Sequence, residues 1–217
     1  MTGLSDRAAL AMALRHGCEA LKLNLQPEQY EQLLDYLALL LKWNAVYNLT
    51  AVREPEKMLT HHLLDSLAIV AELDKLAPQN ILDVGSGGGL PGIVIAIVRP
   101  HWHVTVNDTV QKKSAFQTQV KALLKLGNLQ VAAGRVEQFS FANQFDVVVS
   151  RAFAELSDFV NLAGQHLQSS GWLVAMKGQL PTEEISRLPL SWQVKNVVSL
   201  QVPMLDAERH LILIQAE

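Results

Sequence analysis

Apolar residues recur at helical spacing through the first 78 residues. From Pro27 onward they fall three and four residues apart, which places them along one face of a helix. Pro27 suits the first position of this helix, because its missing N–H would have no partner there. A second helical stretch is predicted to begin at Glu54 and Pro55. Residues 1–78 are therefore predicted to form a helical extension. The first apolar stripe consists of Tyr30, Leu33, Leu34, Leu37, Leu40 and Leu41.

From Asn80 onward the pattern changes to short apolar runs that alternate with helical segments. Such alternation is typical of a parallel α/β sheet with right-handed crossovers. Residues 79–217 are therefore predicted to form one α/β domain. Gly127 is expected to end a helix in a left-handed conformation. The predicted strands span residues 81–84, 103–107, 129–132, 145–149, 172–176, 194–200 and 211–214, and the predicted helices span 91–99, 110–126, 156–167 and 182–188.

Composition excludes several classes of protein. Of the 217 residues, 49% are apolar and 18% are charged, which excludes a disordered chain. No run of about 18 uncharged apolar residues is present, so no membrane association is expected. Asp6 and Arg7 stand where a secretory signal would be basic and then apolar. The single cysteine, Cys18, excludes a disulfide framework and a cysteine-only zinc site. A cytoplasmic protein is therefore expected.

The charge is unevenly distributed. The net charge is −3, yet residues 99–135 hold six basic residues and only one acidic residue, Asp108. Such a segment can bind phosphates although the whole chain is acidic. A solvated helix face is the alternative interpretation. The basic residues are Arg99, Lys112, Lys113, Lys121, Lys125 and Arg135.

A glycine-rich turn follows the first predicted strand, at residues 85–92. Glycines let the chain turn sharply and let a ligand approach the backbone, and the next helix offers free N–H groups. The spacing of Gly87, Gly89 and Gly92 matches the dinucleotide pattern, although a lone match is weak. No Gly-Lys-Ser/Thr follows, which excludes a phosphate-binding Walker loop. A purely structural tight turn is the alternative.

Two acidic residues add to this pattern. Asp83 precedes Gly85 by two residues, which gives Asp-x-Gly-x-Gly-x-Gly, the first motif of Rossmann-like S-adenosylmethionine methyltransferases. A carboxylate there can face an ammonium group. Asp108 ends the second strand and can accept hydrogen bonds from two ribose hydroxyls. Gly87 and Asp108 are therefore predicted to contact S-adenosylmethionine. Nicotinamide-dependent enzymes share the ribose feature, so this residue alone does not separate the two classes.

Three residues after later strands are further candidates. Val136 and Glu137 follow the third strand, in the loop that passes the adenine edge in methyltransferases; a plain surface loop is the alternative. Arg151 follows the fourth strand, and ligands bind at the carboxyl ends of central strands. Its guanidinium can form two hydrogen bonds with a carboxylate or a phosphate. A structural salt bridge is the alternative for Arg151.

Other polar and aromatic residues are expected to be structural. His61, His62 and Asp65 share a helix face at ligand spacing, but no third ligand is apparent, so no metal site is predicted. A hydrogen bond between His62 and Asp65 is expected instead. Trp43 and Tyr47 are expected to be core aromatics rather than platforms for stacked bases.

A specific resemblance begins at residues 42–50, which read Lys-Trp-Asn-Ala-Val-Tyr-Asn-Leu-Thr. This segment resembles the signature of the ribosomal RNA small-subunit methyltransferase G family, also called glucose-inhibited division protein B. After the second strand the family typically has Leu-Asp-Ser and then Lys-Arg, whereas this chain has Asn-Asp-Thr and then Lys-Lys, ending at Lys113. The similarity continues through residues 62–66, 83–93, 150–154, 177–178 and 208–210.

The resemblance implies a Rossmann-like S-adenosylmethionine-dependent methyltransferase with a seven-stranded, mostly parallel sheet whose last strand is antiparallel. It implies a bacterial cytoplasmic enzyme that methylates ring nitrogen 7 of a guanine in small-subunit ribosomal RNA, either naked or in an assembling small subunit. A monomer without a metal is expected. The donor-contacting positions would be Gly85, Leu90, Val136, Glu137 and Arg151.

The implied chemistry needs no catalytic base. Ring nitrogen 7 of guanine carries a lone pair and no hydrogen, so it can attack a sulfonium methyl without losing a proton. Catalysis would then consist mostly of approximation and alignment. Two other functions remain as alternatives at this point: a nicotinamide-dependent oxidoreductase and a non-catalytic RNA-binding assembly factor.

Overall fold

The computed structural model describes residues 6–151, 153 and 155–217, and these form a seven-stranded sheet in the order β3-β2-β1-β4-β5-β7-β6. All neighbouring strands are parallel except β7, which runs antiparallel to both β5 and β6. The predicted sheet and its antiparallel last strand are thus confirmed. Ala152 and Ala154 of the 150–154 segment lie outside the described residues, as do residues 1–5. The strands are β1 Asn80–Val84, β2 His103–Asp108, β3 Leu129–Ala133, β4 Phe145–Ser150, β5 Leu167–Lys177, β6 Trp192–Ser199 and β7 His210–Ala216.

Helices cover both faces of this sheet. Alternate residues of β4 point to opposite sides: Val147 and Val149 join one core cluster, whereas Val148 joins the other. Burial on both faces explains why the central strands are uninterrupted apolar runs. The helices are α1 Arg7–Ala20, α2 Pro27–Tyr47, α3 Pro55–Met58, α4 Asp65–Leu67, α5 Val70–Leu76, α6 Gly92–Val98, α7 Gln111–Leu123, α8 Leu156–Ala163 and α9 Thr182–Ser186.

The apolar stripe of α2 packs into the same core as one face of the sheet. Leu33, Leu37 and Leu40 are fully buried and belong to the cluster that contains Val104 and Val106 of β2. Three polar side chains of α2 fix this packing by donating to backbone carbonyl oxygens that lie far away in the chain. They are Gln29 to Ile97 at 2.9 Å, Gln32 to Leu124 at 3.1 Å and Tyr36 to Gly88 at 2.7 Å. The boundary between residues 1–78 and 79–217 thus crosses one continuous core, and the division into two domains stays a prediction.

The second predicted helical stretch is more irregular than its pattern indicates. Between α3 and α4 the chain forms a π-helical segment, Leu59–Leu64, before α5 follows. Such wide turns occur frequently at functional sites. This segment and the first residue of α4 present the side chains of His61, His62 and Asp65 to the same region of the molecule, at the carboxyl ends of the central strands.

Two local predictions are wrong. The left-handed residue after α7 is Lys125, with φ of 54°, and not Gly127; the Leu126 N–H then closes the helix end by donating to Lys121 at 3.0 Å. Tyr47 is not a core aromatic, because it is 43% exposed at the end of α2 and packs on the half-buried Trp43. No helix in the described part of the chain combines the length and apolar character that crossing a membrane requires.

Candidate functional site

The glycine turn after β1 adopts backbone conformations that only glycine takes easily. Gly85, Gly87 and Gly89 have φ values of 70°, 59° and 90°. A side chain at Gly87 would point into open space, whereas one at Gly89 would collide with Ile93. The space beside Gly87 is therefore open, and a ligand can approach the backbone there.

Neighbouring elements hold this turn from three sides. The Ser86 N–H donates to the carbonyl oxygen of Asn107, near the end of β2, over 2.9 Å. Gln117 of α7 donates to the Gly87 carbonyl oxygen at 2.8 Å, and Tyr36 of α2 donates to that of Gly88. The turn is thus preorganised by protein contacts alone.

Asp83 lies buried beneath the turn. Its Oδ2 accepts a 2.7 Å hydrogen bond from the Gly92 N–H at the start of α6, while its Oδ1 has no partner among the described residues. Burial raises the pKa of the Asp83 carboxyl to about 7, although the Gly92 N–H and the charge of Arg151 oppose this. A buried carboxyl with an unused oxygen is suited to a cationic group of a ligand.

Asp108, at the end of β2, braces the turn as well as facing a cleft. Its Oδ2 accepts from the Gly87 N–H at 2.9 Å and lies 3.4 Å from Lys113 Nζ, and its Oδ1 accepts from the Val110 N–H at 2.9 Å. Each carboxylate oxygen has two acceptor positions, so Oδ1 of Asp108 retains capacity for a hydroxyl group of a ligand. Its dual role is not evident from the sequence pattern.

Two clefts flank the glycine turn and share Gly85. The wide cleft, of about 430 Å³, is bordered by Asp108, Val136 and Glu137, and also by Phe153 and Leu162. The narrow cleft, of about 210 Å³, is bordered by Gly87, Leu90 and Arg151, and by Leu40, Leu49 and Thr50 of the helical extension. All seven residues predicted to bind the donor therefore line these clefts. Sequence reasoning missed the contributions from residues 40–50, although the resemblance begins there.

A third, outer cleft of about 370 Å³ shares Arg151 with the narrow cleft. It lies farther along the carboxyl edge of the sheet, where β4 and β5 end and β7 begins. Three basic side chains give this cleft a positive lining: Arg151, Lys177 and Arg209. The remaining lining residues are Val52, His61, His62, Asp65, Met176 and Gly178.

Asp65 does not pair with His62, contrary to the expectation. Its Oδ2 accepts from Arg151 Nη1 at 3.0 Å, and its Oδ1 accepts from Arg209 Nε at 2.7 Å. Arg151 thus forms a salt bridge and also lines two clefts. The sequence offered no signal for this cluster, because Asp65 lies 86 residues from Arg151 and 144 residues from Arg209 along the chain.

His62 is held in its neutral form. Burial lowers its pKa to about 4, and the charge of Arg151 adds to the effect. Its Nδ1 lies 2.9 Å from the His61 carbonyl oxygen and its Nε2 lies 2.9 Å from Thr50 Oγ1. A carbonyl can only accept, so Nδ1 carries the hydrogen and Nε2 accepts from the Thr50 hydroxyl. Among the described residues, no three histidines, cysteines or acids come together in a way that could hold a metal ion.

The basic residues of 99–135 do not form one surface. Arg99 pairs with Asp74 at 2.5 Å. Asp74 lies in α5, before β1, and Arg99 lies before β2, which places this pair at the amino edge of the sheet. Lys112 and Lys113 begin α7 at the carboxyl edge, where Lys112 Nζ donates to the Tyr47 carbonyl oxygen at 2.8 Å. Only part of the segment therefore borders the clefts.

Comparison with known proteins gives close relatives. The model of the family described as rRNA small subunit methyltransferase G matches residues 29–212. A protein of Burkholderia lata named Ribosomal RNA small subunit methyltransferase G is 58% identical over 211 residues, which is 95% of this chain and 92% of the relative. A protein of the same name from Burkholderia thailandensis is 56% identical over 219 residues, covering 99% and 95%.

Solved structures resemble the fold at low sequence identity. TrmN from Thermus thermophilus has a TM-score of 0.57 at 14% identity, over 73% of this chain and 53% of its own. A methyltransferase from Thiobacillus denitrificans in complex with S-adenosyl-L-homocysteine has a TM-score of 0.53 at 12% identity, over 81% and 96%. The N-methyltransferase NodS from Bradyrhizobium japonicum, in complex with the same compound, has a TM-score of 0.57 at 17% identity, over 81% and 98%. These likenesses support the Rossmann-like fold.

Proposed function

Because the chain belongs to the rRNA small subunit methyltransferase G family, we propose that it transfers a methyl group from S-adenosylmethionine to ring nitrogen 7 of a guanine in bacterial small-subunit ribosomal RNA. It is an S-adenosylmethionine-dependent methyltransferase with RNA as its substrate. The observation that carries this proposal is the buried Asp83, whose unused oxygen lies beneath a glycine turn that separates two clefts.

The two clefts suit the two halves of the donor. In the wide cleft, Asp108 can accept from the ribose hydroxyls, while Val136 and Glu137 border the space for the adenine. The guanidinium of Arg151, which lines the narrow cleft, can bind a carboxylate. The carboxyl group of Asp83, buried beneath the turn, can face an ammonium group. Gly85, Gly87 and Leu90 leave the backbone accessible between them. When bound, the donor supplies a methyl group on a positively charged sulfur.

The outer cleft suits the target nucleotide. It shares Arg151 with the narrow cleft, so a base placed there would lie next to the methionine end of the donor. Its basic lining complements the phosphates of RNA. Lys177 donates to Glu184 at 2.7 Å and Asp65 contacts both arginines, so part of the positive charge is compensated where the guanine ring becomes cationic.

Residues of this site position the reactants rather than remove a proton. Guanine ring nitrogen 7 carries no hydrogen, so no general base is required. His62 is the obvious candidate for such a base, but both of its ring nitrogens are engaged and its low pKa makes it a weak one. We propose that the rate follows from alignment, which is the task of the arginines and the glycine turn.

The same reasoning defines the substrate further. In duplex RNA, nitrogen 7 lies in the deep and narrow major groove, which side chains reach poorly. The target guanine is therefore proposed to lie in a loop or another accessible region of the RNA, either free or in an assembling small subunit. We propose that the enzyme acts in the cytoplasm and as a monomer.

One glycine substitution tests the placement of the reactants. Gly178 lines the outer cleft, and a side chain there would meet open space, so Gly178→Leu should narrow the cleft. Methylation of small-subunit RNA with labelled S-adenosylmethionine should be abolished, while the rise in melting temperature caused by the donor should persist. Gly127→Leu is the matched control, because a side chain there also meets open space but lies away from the clefts.

Digestion of the labelled RNA identifies the product. The label should be recovered as 7-methylguanosine by mass spectrometry, and the single-turnover rate at saturating donor and RNA should stay nearly constant from about pH 6.5 to 9. Label on another position, or a rate that follows one ionisation near neutrality, would contradict the proposal. Stabilisation by a nicotinamide dinucleotide instead of the donor would favour the oxidoreductase alternative. Stabilisation without methyl transfer would favour the assembly factor.

A further inference from the structure

Asp65 joins two arginines that come from different strand ends at the same edge of the sheet. Arg151 follows β4 and Arg209 precedes β7, and each donates to a different oxygen of the same carboxylate. The Asp65 side chain is only 3% exposed, whereas those of Arg151 and Arg209 are 28% and 22% exposed. A buried anion thus holds two cations that reach toward solvent.

Both arginines keep unused donors. Arg151 uses Nη1 for Asp65 and for the His61 carbonyl oxygen at 3.1 Å, and Arg209 uses Nε for Asp65 and Nη1 for the Glu208 carbonyl oxygen at 2.8 Å. Within the described residues, Nε and Nη2 of Arg151 and Nη2 of Arg209 have no hydrogen-bond partner. These donors remain available to anionic groups of ligands.

The cluster of Asp65, Arg151 and Arg209 lies where the narrow cleft and the outer cleft meet. Arg151 lines the narrow cleft and the outer cleft, whereas Arg209 lines only the outer cleft. Asp65 therefore contacts one side chain on the donor side and one on the acceptor side. Because a guanidinium is planar, a hydrogen bond to one nitrogen restricts the direction of all its donors.

We propose that Asp65 is a positioning residue for methyl transfer, which orients Arg151 toward the donor and Arg209 toward the target nucleotide and so couples the two sites. This inference rests on the proposed function of the clefts. Without the carboxylate, two neighbouring cations would repel each other and lose their fixed orientation. The net positive charge of the outer cleft would nevertheless increase, so attraction of RNA would not suffer.

The opposite directions of these two effects give a test. Asp65→Asn should leave RNA affinity unchanged or tighter at low salt, whereas the single-turnover rate at saturating donor and RNA should fall by roughly tenfold or more. Arg209→Lys keeps the charge but removes the planar guanidinium, so it should likewise lower the single-turnover rate while leaving RNA affinity unchanged. A role in bulk stability alone would not separate affinity from rate in this way.

Combined variants test the coupling. If Asp65 acts through the arginines, adding Arg209→Lys to Asp65→Asn should change the rate by less than about twofold, because the orientation has already been disrupted. Losses that multiply would overturn the proposal. Asp74→Asn is the control, since it removes the ion pair with Arg99 at the opposite edge of the sheet and should leave the rate unchanged.

The folding of the variants decides which comparison applies. A folded Asp65→Asn variant with the wild-type rate would overturn the proposal, and so would a loss confined to RNA or donor affinity. If Asp65→Asn does not fold, Arg151→Lys, Arg209→Lys and their combination are compared instead. If the rate losses of the two single variants multiply in the combined variant, the arginines act independently and the proposal that Asp65 couples them is overturned. If the wild-type protein transfers no methyl group to the RNA, the proposed function fails, which is distinguishable because the wild type is measured in the same assay.

Discussion

The hydroxyl group of Tyr36 donates to the carbonyl oxygen of Gly88 at 2.7 Å, which ties the long helix α2 to the glycine turn. Tyr36 is fully buried, and burial raises its pKa, so the hydroxyl remains a donor throughout the working range of pH. The helical extension therefore supports the glycine turn directly, from 52 residues away in the chain.

Tyr36→Phe removes this hydrogen bond and leaves a backbone carbonyl without a partner. We expect the free energy of unfolding to fall by about 1–2 kcal/mol. The affinity for S-adenosylmethionine, measured by calorimetry, should also fall, because the turn is less well held. Tyr30→Phe, in the first turns of the same helix, is the control and should leave donor affinity unchanged. Wild-type affinity in Tyr36→Phe would show that the bond serves only the fold.

Asp108→Ala removes the acceptor of the Gly87 N–H and, with it, the proposed acceptor of the ribose hydroxyls. We expect the dissociation constant of the donor to rise by about tenfold or more, since hydrogen bonds to charged groups are worth roughly 1.5–3 kcal/mol each. Asp146→Ala is the control: Asp146 accepts from the backbone of Gln79 and Asn80 at the opposite edge of the sheet. It should lower the melting temperature without weakening donor binding.

Asp83 should make both stability and donor binding depend on pH. Its pKa is about 7 in the folded state against an ordinary value of 3.8, so the unfolded chain loses this proton first. The contribution of Asp83 to stability therefore falls as the pH rises from about 4 to 7 and then levels off. Urea unfolding of the wild type and of Asp83→Asn should show that the variant gains relative stability over this range.

A cationic donor favours the ionised form of Asp83. Donor affinity should therefore increase between about pH 6 and 7.5 in the wild type, and this increase should be absent in Asp83→Asn. Adenosine carries no cation, so its affinity serves as the control and should not vary with pH. Equal pH dependence in both proteins would place the donor's ammonium group away from Asp83.

The basic residues in α7 and just after it should differ in their effect on RNA binding. Replacing Lys112 and Lys113 by glutamine should reduce the slope of log affinity against log salt by about 0.7–0.9 for each phosphate that the protein no longer neutralises. Lys121 lies roughly 12–14 Å farther along α7, since each residue advances about 1.5 Å, and Lys125 lies just beyond the end of that helix. Their double replacement is the matched control, and a change of slope there would move the RNA path to the far end of α7.

Local patterns were enough to predict the strands and the glycine turn, whereas the antiparallel last strand was predicted from the family resemblance. The strand ends, the glycines and Asp108 are encoded within short segments, because burial on both faces and positive φ values leave a direct trace in residue type. All seven predicted donor contacts consequently line the clefts, and their contact with the donor stays a prediction.

Contacts between residues far apart in the chain are not visible as patterns within short segments of the sequence. Asp65 lies three residues after His62, a spacing that favours contact on a helix, so a pair between them was expected. The two arginines that Asp65 binds instead follow or precede strands that are far away in the sequence. The π-helical segment could not be predicted either, since its residues have ordinary helical character. Tyr47 looked like a core aromatic, yet α2 ends at that residue and leaves its ring exposed.

The three polar side chains that α2 extends toward Gly88, Ile97 and Leu124 have a consequence for synthesis on the ribosome. These carbonyl oxygens are translated 52 to 92 residues after the side chains that bind them. The nascent helix therefore emerges with its leucine face uncovered and with three unpaired donors. Complete docking of α2 therefore has to wait until α7 has left the exit tunnel, although α2 is made before every strand of the sheet.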